Sequence, residues 1–231
     1  ETEKQLTELV KISALVYRRH LGAYAIYAGS DFDIEGEIEA RIAERGRLEI
    51  AAVNDLASLQ PILAKRHYAE YGTPRWFDAQ IAELPQQGLS PKDGRISAGA
   101  AGKFLLLLPG AEVELEKAQT SVIEASQAEH RHGLPVIVGL ASNSKDIRKT
   151  AIELEAARVR NESPELAGDA AARREIDARI AYLSARLEGL LREGFERADW
   201  FDNGEPLDIE SLSYGLSQAA SDIARRTFGQ A

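Results

Sequence analysis

Two apolar runs, FLLLLP at residues 104–109 and LPVIVGLAS at 134–142, frame the amphipathic stretch AEVELEKAQTSVIEASQAEHRHG at 111–133. Both runs are strand-sized and lack the alternation of a half-solvated strand. Each therefore predicts a strand buried on both faces. A helix between two such strands predicts a β-α-β unit, with a parallel pair and a right-handed crossover. The fold class expected is α/β: a helix-rich mixed α/β core built around that unit.

The flanking sequence adds elements on both sides. Residues 4–20 carry Leu6, Leu9, Val10, Ile12, Leu15 and Val16 at helical spacing, which predicts a helix stopped at Gly22. AYAIYAGS predicts a strand, and residues 30–46 a helix with Ile34, Ile38 and Ile42 along it. RLEIAAVNDL stays open between strand and helix. LQPILAKRHYAEYG predicts a helix with Pro61 in its first turn, and TPRWFDAQIAEL a strand. Downstream, residues 143–161 offer Ile147, Ala151, Leu154 and Ala157 or Arg158 as a buried stripe. Residues 170–198 carry Ile176, Ile180, Leu183, Leu187, Leu190, Leu191 and Phe195 close to a heptad seam. The short loop ESPELAGD joins them, so a long antiparallel helical hairpin is expected. ADWFDNGEP reads as a short strand and turn, and residues 208–228 as a final helix. Two regions follow: a mixed α/β core over 1–142, and over 143–231 the hairpin, the short strand and a C-terminal helix packing on the core.

Charge and composition narrow the function classes. A net charge of -9 repels phosphate backbones unless cations cluster on one face. With no cysteine, a disulfide framework and thiolate metal sites are excluded, in keeping with a cytoplasmic location. No apolar run is long enough for a membrane span. The chain starts at Glu1, and the expectation is that it is a piece of a longer protein.

Five motifs bear on chemistry. GAAGKF at 99–104 has a Gly-x-x-Gly-Lys look, but its glycines are too close, Phe104 replaces the hydroxyl residue and a strand follows, so it is not a phosphate loop. Ser142, Asn143, Ser144 and Lys145 sit where a buried strand gives way to a helix, a natural place for an anion. The plainer account is a helix cap, with Ser144 as the capping residue. Lys65, Arg66, His67, Arg75 and Trp76 combine cations with aromatics and form a candidate contact for nucleic acid or a partner, against a plainer account as a solvated face beside core aromatics. His130, Arg131 and His132 lack carboxylate or thiolate partners at ligand spacing. Asp31, Asp33, Glu35 and Glu37 resemble a calcium loop until its twelfth position, which is Ile42, and they fit the acid-rich first turn of a helix better. No metal site, catalytic residue or cofactor is assigned.

The order of RRHLGAYAIYAGSDFD, AKRHYAEYGTPRWFD, a buried strand, two long charged helices and Trp200-Phe201-Asp202-Asn203-Gly204 resembles the interior of large bacterial P-loop ATPases from phage-defence and restriction-type operons, the BREX ATPase type included. That resemblance implies a non-catalytic middle segment, because the Walker residues of such proteins have no counterpart here. It implies a winged-helix-like element at the start and an arm for protein partners, for other domains of the same chain or for a second copy. Association with DNA would be indirect. The two rival expectations are an independent enzyme or phosphate-binding α/β domain, and a nucleic-acid-binding module.

Overall fold

The computed structural model describes residues 2–11, 14–18, 22–26, 36, 39–40, 53–54, 56, 59–84, 95–110, 113, 115–129, 133–166, 169–209 and 215–229. The chain is mixed α/β, with six helices and a six-stranded sheet among those residues. In chain order the elements are α1 (Thr2–Lys11), β1 (Leu15–Arg18), β2 (Ala23–Ile26), β3 (Ile62–Leu63), α2 (Lys65–Tyr71), β4 (Trp76–Glu83), β5 (Gly102–Leu108), α3 (Leu115–Glu129), β6 (Val136–Leu140), α4 (Ser144–Asn161), a 3-10 turn (Pro164–Leu166), α5 (Ala170–Arg197), β7 (Asp199–Asp202), β8 (Glu205–Leu207) and α6 (Gly215–Phe228).

Two compact units emerge, one of residues 1–46 with 152–185 and the other of 47–151 with 186–231, so α4 and α5 contribute to both. In the second unit the sheet order is β3-β4-β5-β6-β7-β8. The strands β4, β5 and β6 are parallel; β3, β7 and β8 join antiparallel. The expected β-α-β unit is therefore present as β5-α3-β6.

Every residue of β5 and β6 is buried, which is why neither run alternates in hydropathy. Leu105, Leu107, Val136, Val138 and Leu140 form one layer with Ala118, Val122 and Ala125 of α3. On the opposite face lie Phe77, Phe104 and Trp200, whose rings meet edge to face in series at 5.5 and 5.3 Å. The starts of α4 and the end of α5 cover that second face, where Gly194 lies close to Leu106 and Ile147. The predicted stripe of α4 is buried at Ile147, Ala151, Leu154 and Ala157, while Arg158 is exposed. The β7–β8 turn has positive φ at Asn203 (52°) and Gly204 (82°), as a two-residue hairpin of the Asn-Gly kind requires. Gly204 N–H donates to the buried Ser126 Oγ at 2.8 Å, fastening the turn to α3.

Asn54 holds the outer side of β4. Its Nδ2 donates to Ile81 O at 2.7 Å, and its Oδ1 accepts from Ile81 N–H at 3.0 Å. One side-chain amide thus supplies both bonds a neighbouring strand would have made.

Two local expectations are corrected. The helix over 4–20 ends at Lys11, and Leu15–Arg18 pairs instead with Ala23–Ile26 as a hairpin in the first unit. Gly22, just before β2, has positive φ (62°), and Tyr17 and Tyr24 face each other across the pair with ring centroids 4.9 Å apart. Cross-strand aromatic pairing outweighs a helical stripe with only Ile12, Leu15 and Val16 beyond Lys11. The helix over 59–72 begins only at Lys65, because Ile62–Leu63 joins the sheet against Trp76 and Phe77. Ser217 Oγ of α6 donates to Leu63 O at 2.6 Å and fixes that short strand. At the far end of the hairpin, in the first unit, Asn161 Nδ2 donates to Asp177 Oδ1 at 3.0 Å, and Asp169 Oδ1 caps α5 through the N–H groups of Ala171 and Ala172.

Candidate functional site

The carboxyl ends of β4, β5 and β6 lie side by side. The chain leaves β5 for α3 on one face of the sheet and leaves β6 for α4 on the other. Adjacent parallel strands whose connections part in this way leave a crevice, the usual ligand position in α/β sheets. Here polar side chains from the first turns of α4 close it. Ser144 Oγ donates to Pro109 O at 3.3 Å. Arg148, one turn further on, donates from Nη2 to Leu108 O at 2.7 Å and lies 3.5 Å from Glu83 Oε1. A single guanidinium thereby ties together the ends of β4 and β5.

Asn143, not Ser144, occupies the cap position of α4, which corrects the sequence expectation. Its carbonyl accepts from Ile147 N–H at 3.2 Å and Asp146 N–H at 3.1 Å. Its side chain reaches away, and Nδ2 donates to Leu190 O of α5 at 2.8 Å. The amide prefers this bridge because α5 comes close at Gly194, where a Cβ would stand 3.0 Å from Asn143 Oδ1. Ser142 and Lys145 are exposed. The four residues are thus brought together, two turned inward to hold main chain and two outward.

The second sequence candidate divides similarly. His67 is 2% exposed and stacks on Tyr71 with ring centroids 4.7 Å apart; its Nδ1 has no hydrogen-bond partner. Trp76 is half-buried over Gly99 (φ 90°), where a Cβ would lie 3.2 Å from the indole. The Arg75 guanidinium stands 4.2 Å over the Phe228 ring. Lys65 and Arg66 remain exposed. Glu70 pairs with Arg66 at 3.0 Å and with Arg225 of α6 at 2.9 Å. The hydrogen bond from Arg66, helped by the Arg225 charge, holds the Glu70 carboxyl below its ordinary 4.5. A depressed carboxylate stabilises the folded chain above its unfolded pKa, and that contribution disappears as pH falls through the lowered value. The expected result is that Glu70→Gln lowers the melting temperature slightly at about pH 7 and not at about pH 2, by thermal melts at both. An equal offset at both pH values would rule out the ion pair as its source.

Sequence reasoning passed over Lys103, Gly102, Arg148 and Asn54. Lys103, dismissed with the failed phosphate loop, is fully buried in β5 and donates from Nζ to Gln80 Oε1 at 2.9 Å. Gly102 before it is required by packing, since a Cβ would stand 2.5 Å from Pro135 O and 2.7 Å from the Phe77 ring. The spacing of Ser144 and Arg148, four apart on one helix side, was a signal for the closure of the crevice. Asn54 carried none, because its partner lies far along the chain. Asp31, Asp33, Glu35, Glu37, His130, Arg131 and His132 lie outside the described residues. Among the described residues no cluster of three or more His, Asp or Glu side chains is arranged to hold a metal ion, and no helix is long and apolar enough to cross a membrane. No family model, no curated protein and no solved structure matches the chain.

Proposed function

We propose that this chain is an accessory, non-catalytic part of a large cytoplasmic ATPase-like protein of the phage-defence type, acting in assembly or in coupling to a DNA-directed partner. One observation carries the reading. At the crevice where an α/β enzyme would do its chemistry, Ser144, Arg148 and Asn143 are bonded to the main-chain oxygens of Pro109, Leu108 and Leu190. Groups held that way stiffen a scaffold: Leu108 O, which already accepts from Leu84 N–H, takes Arg148 as a second donor, and Ser144 and Asn143 tie α4 to the end of β5 and to α5. Contact with protein partners is supported by the exposed Tyr17, Tyr24 and Ile26 on the β1–β2 hairpin.

The expected result is no nucleotide turnover by this chain and no thermal shift with nucleotides or phosphosugars. Measured turnover would overturn the reading. So would a saturable shift lost in Ser142→Ala or Lys145→Ala, the two exposed side chains at the crevice; that outcome favours a phosphate-binding domain instead.

A further inference from the structure

On α2 the residues Lys65, Tyr68 and Tyr71 are three apart and form one continuous stripe along the helix. All three are exposed, with Tyr68 at 55% and Tyr71 at 45%. Lys65 has no ion-pair partner among the described residues. The helix is anchored from its other side, where His67 is buried and Arg66 N–H donates to Ser221 Oγ of α6 at 3.2 Å. Two large ring faces are thus presented to solvent on a short helix that is itself held firmly.

The surroundings are cationic. Arg66, Arg75, Arg225 and Arg226 join Lys65 around α2 and the last turns of α6, and the carboxylates paired with them are Glu70, Asp222 and Asp202. Among the described residues those carboxylates pair with Arg66, Arg225 and Arg226, and Lys65 and Arg75 have no carboxylate partner. Aromatic faces set in a cationic surround are what a flexible polyanion with its own ring faces requires. A duplex keeps its bases stacked inside and could use only the charges.

We infer that the Lys65–Tyr68–Tyr71 stripe of α2 is a contact surface for single-stranded nucleic acid, with bases stacking on Tyr68 and Tyr71 and phosphates drawn to Lys65, Arg66 and Arg75. His67 and Trp76 take no part, being turned into the fold. Glu70 acts against binding, since it occupies Arg66 and Arg225. The inference stands apart from the accessory role proposed above, and either can fail alone.

The test is fluorescence anisotropy with a labelled oligo(dT) of about 20 nucleotides and a duplex of equal length, using the whole chain. With about three cations engaged, affinity for the single strand should fall roughly tenfold to twentyfold between about 50 and 200 mM salt. Tyr68→Ala should weaken binding about tenfold while Tyr68→Phe retains it. Tyr68 is exposed, so its removal leaves the fold intact, which a melting curve checks. Glu70→Gln should tighten binding severalfold, which a merely structural role for the pair would not do. Three results would overturn the inference: no binding at low salt, equal binding by the duplex, or indifference to Tyr68→Ala. Displacement of the oligonucleotide by a poly-glutamate peptide at equal charge would also overturn it, in favour of an acidic protein segment.

Discussion

Trp200→Ala is expected to destabilise the chain by about 3–5 kcal/mol, as truncation of a buried tryptophan does. Trp200 is among the largest fully buried side chains. Its ring meets Phe104 at 5.3 Å and Phe195 at 5.7 Å, and Nε1 donates to Phe195 O at 2.9 Å. The indole lies directly over Gly139, where a Cβ would stand 2.5 Å from the ring. Gly139→Ala is accordingly destabilising too, by about 1–3 kcal/mol from overpacking. The two changes relieve each other, because the cavity left by one accepts the methyl of the other. The double variant should therefore cost less than the sum, measured by urea unfolding of all four proteins. Strict additivity would show that the glycine is not required by the indole.

Asn54→Ala should cost about 2–4 kcal/mol, since it leaves both the N–H and the carbonyl of buried Ile81 without their partner. Asn54→Asp is not expected to rescue it. The carboxylate keeps the acceptor for Ile81 N–H but sets a negative charge against Ile81 O. Hydrogen exchange at the Ile81 amide is the direct readout, and unchanged protection in Asn54→Ala would refute the role. Few substitutions of a half-buried polar residue have so large an expected effect, because this amide stands in for a length of strand.

What was legible in the chain was what local chemistry decides. FLLLL and VIVGL could be buried strands and little else, and Asn203-Gly204 states its own turn. The hairpin helices declared themselves through Ile147, Leu154, Ile176, Leu183 and Leu187, all buried as their spacing requires. Failures arose where a tertiary partner decides. Leu15–Arg18 continues a helical stripe on paper, and only pairing with Ala23–Ile26 makes it a strand. His67 and Tyr68 look equally available in AKRHYAEY, yet α6 covers one and leaves the other in solvent. At the crevice the residue types at 142–145 were read correctly as a strand-to-helix junction, but their bonds to Pro109 and Leu190 connect segments about 35 and 47 residues away. Lys103 was hidden for a related reason: a lysine inside a leucine run signals nothing until Gln80 is found on the neighbouring strand.

The margins of the sheet carry a further consequence. Among the described residues it ends on one side with β3, a two-residue strand just after Pro61, and on the other with β8, three residues with Pro206 at its centre. A strand so short offers almost no ladder to extend, and proline withholds a donor from whatever approaches. Pairing of two copies strand to strand at either of these two margins is therefore disfavoured. A contact made at β3 or β8 has to be joined through helical or side-chain surfaces, which limits it to one of defined shape and guards those margins against open-ended β-stacking.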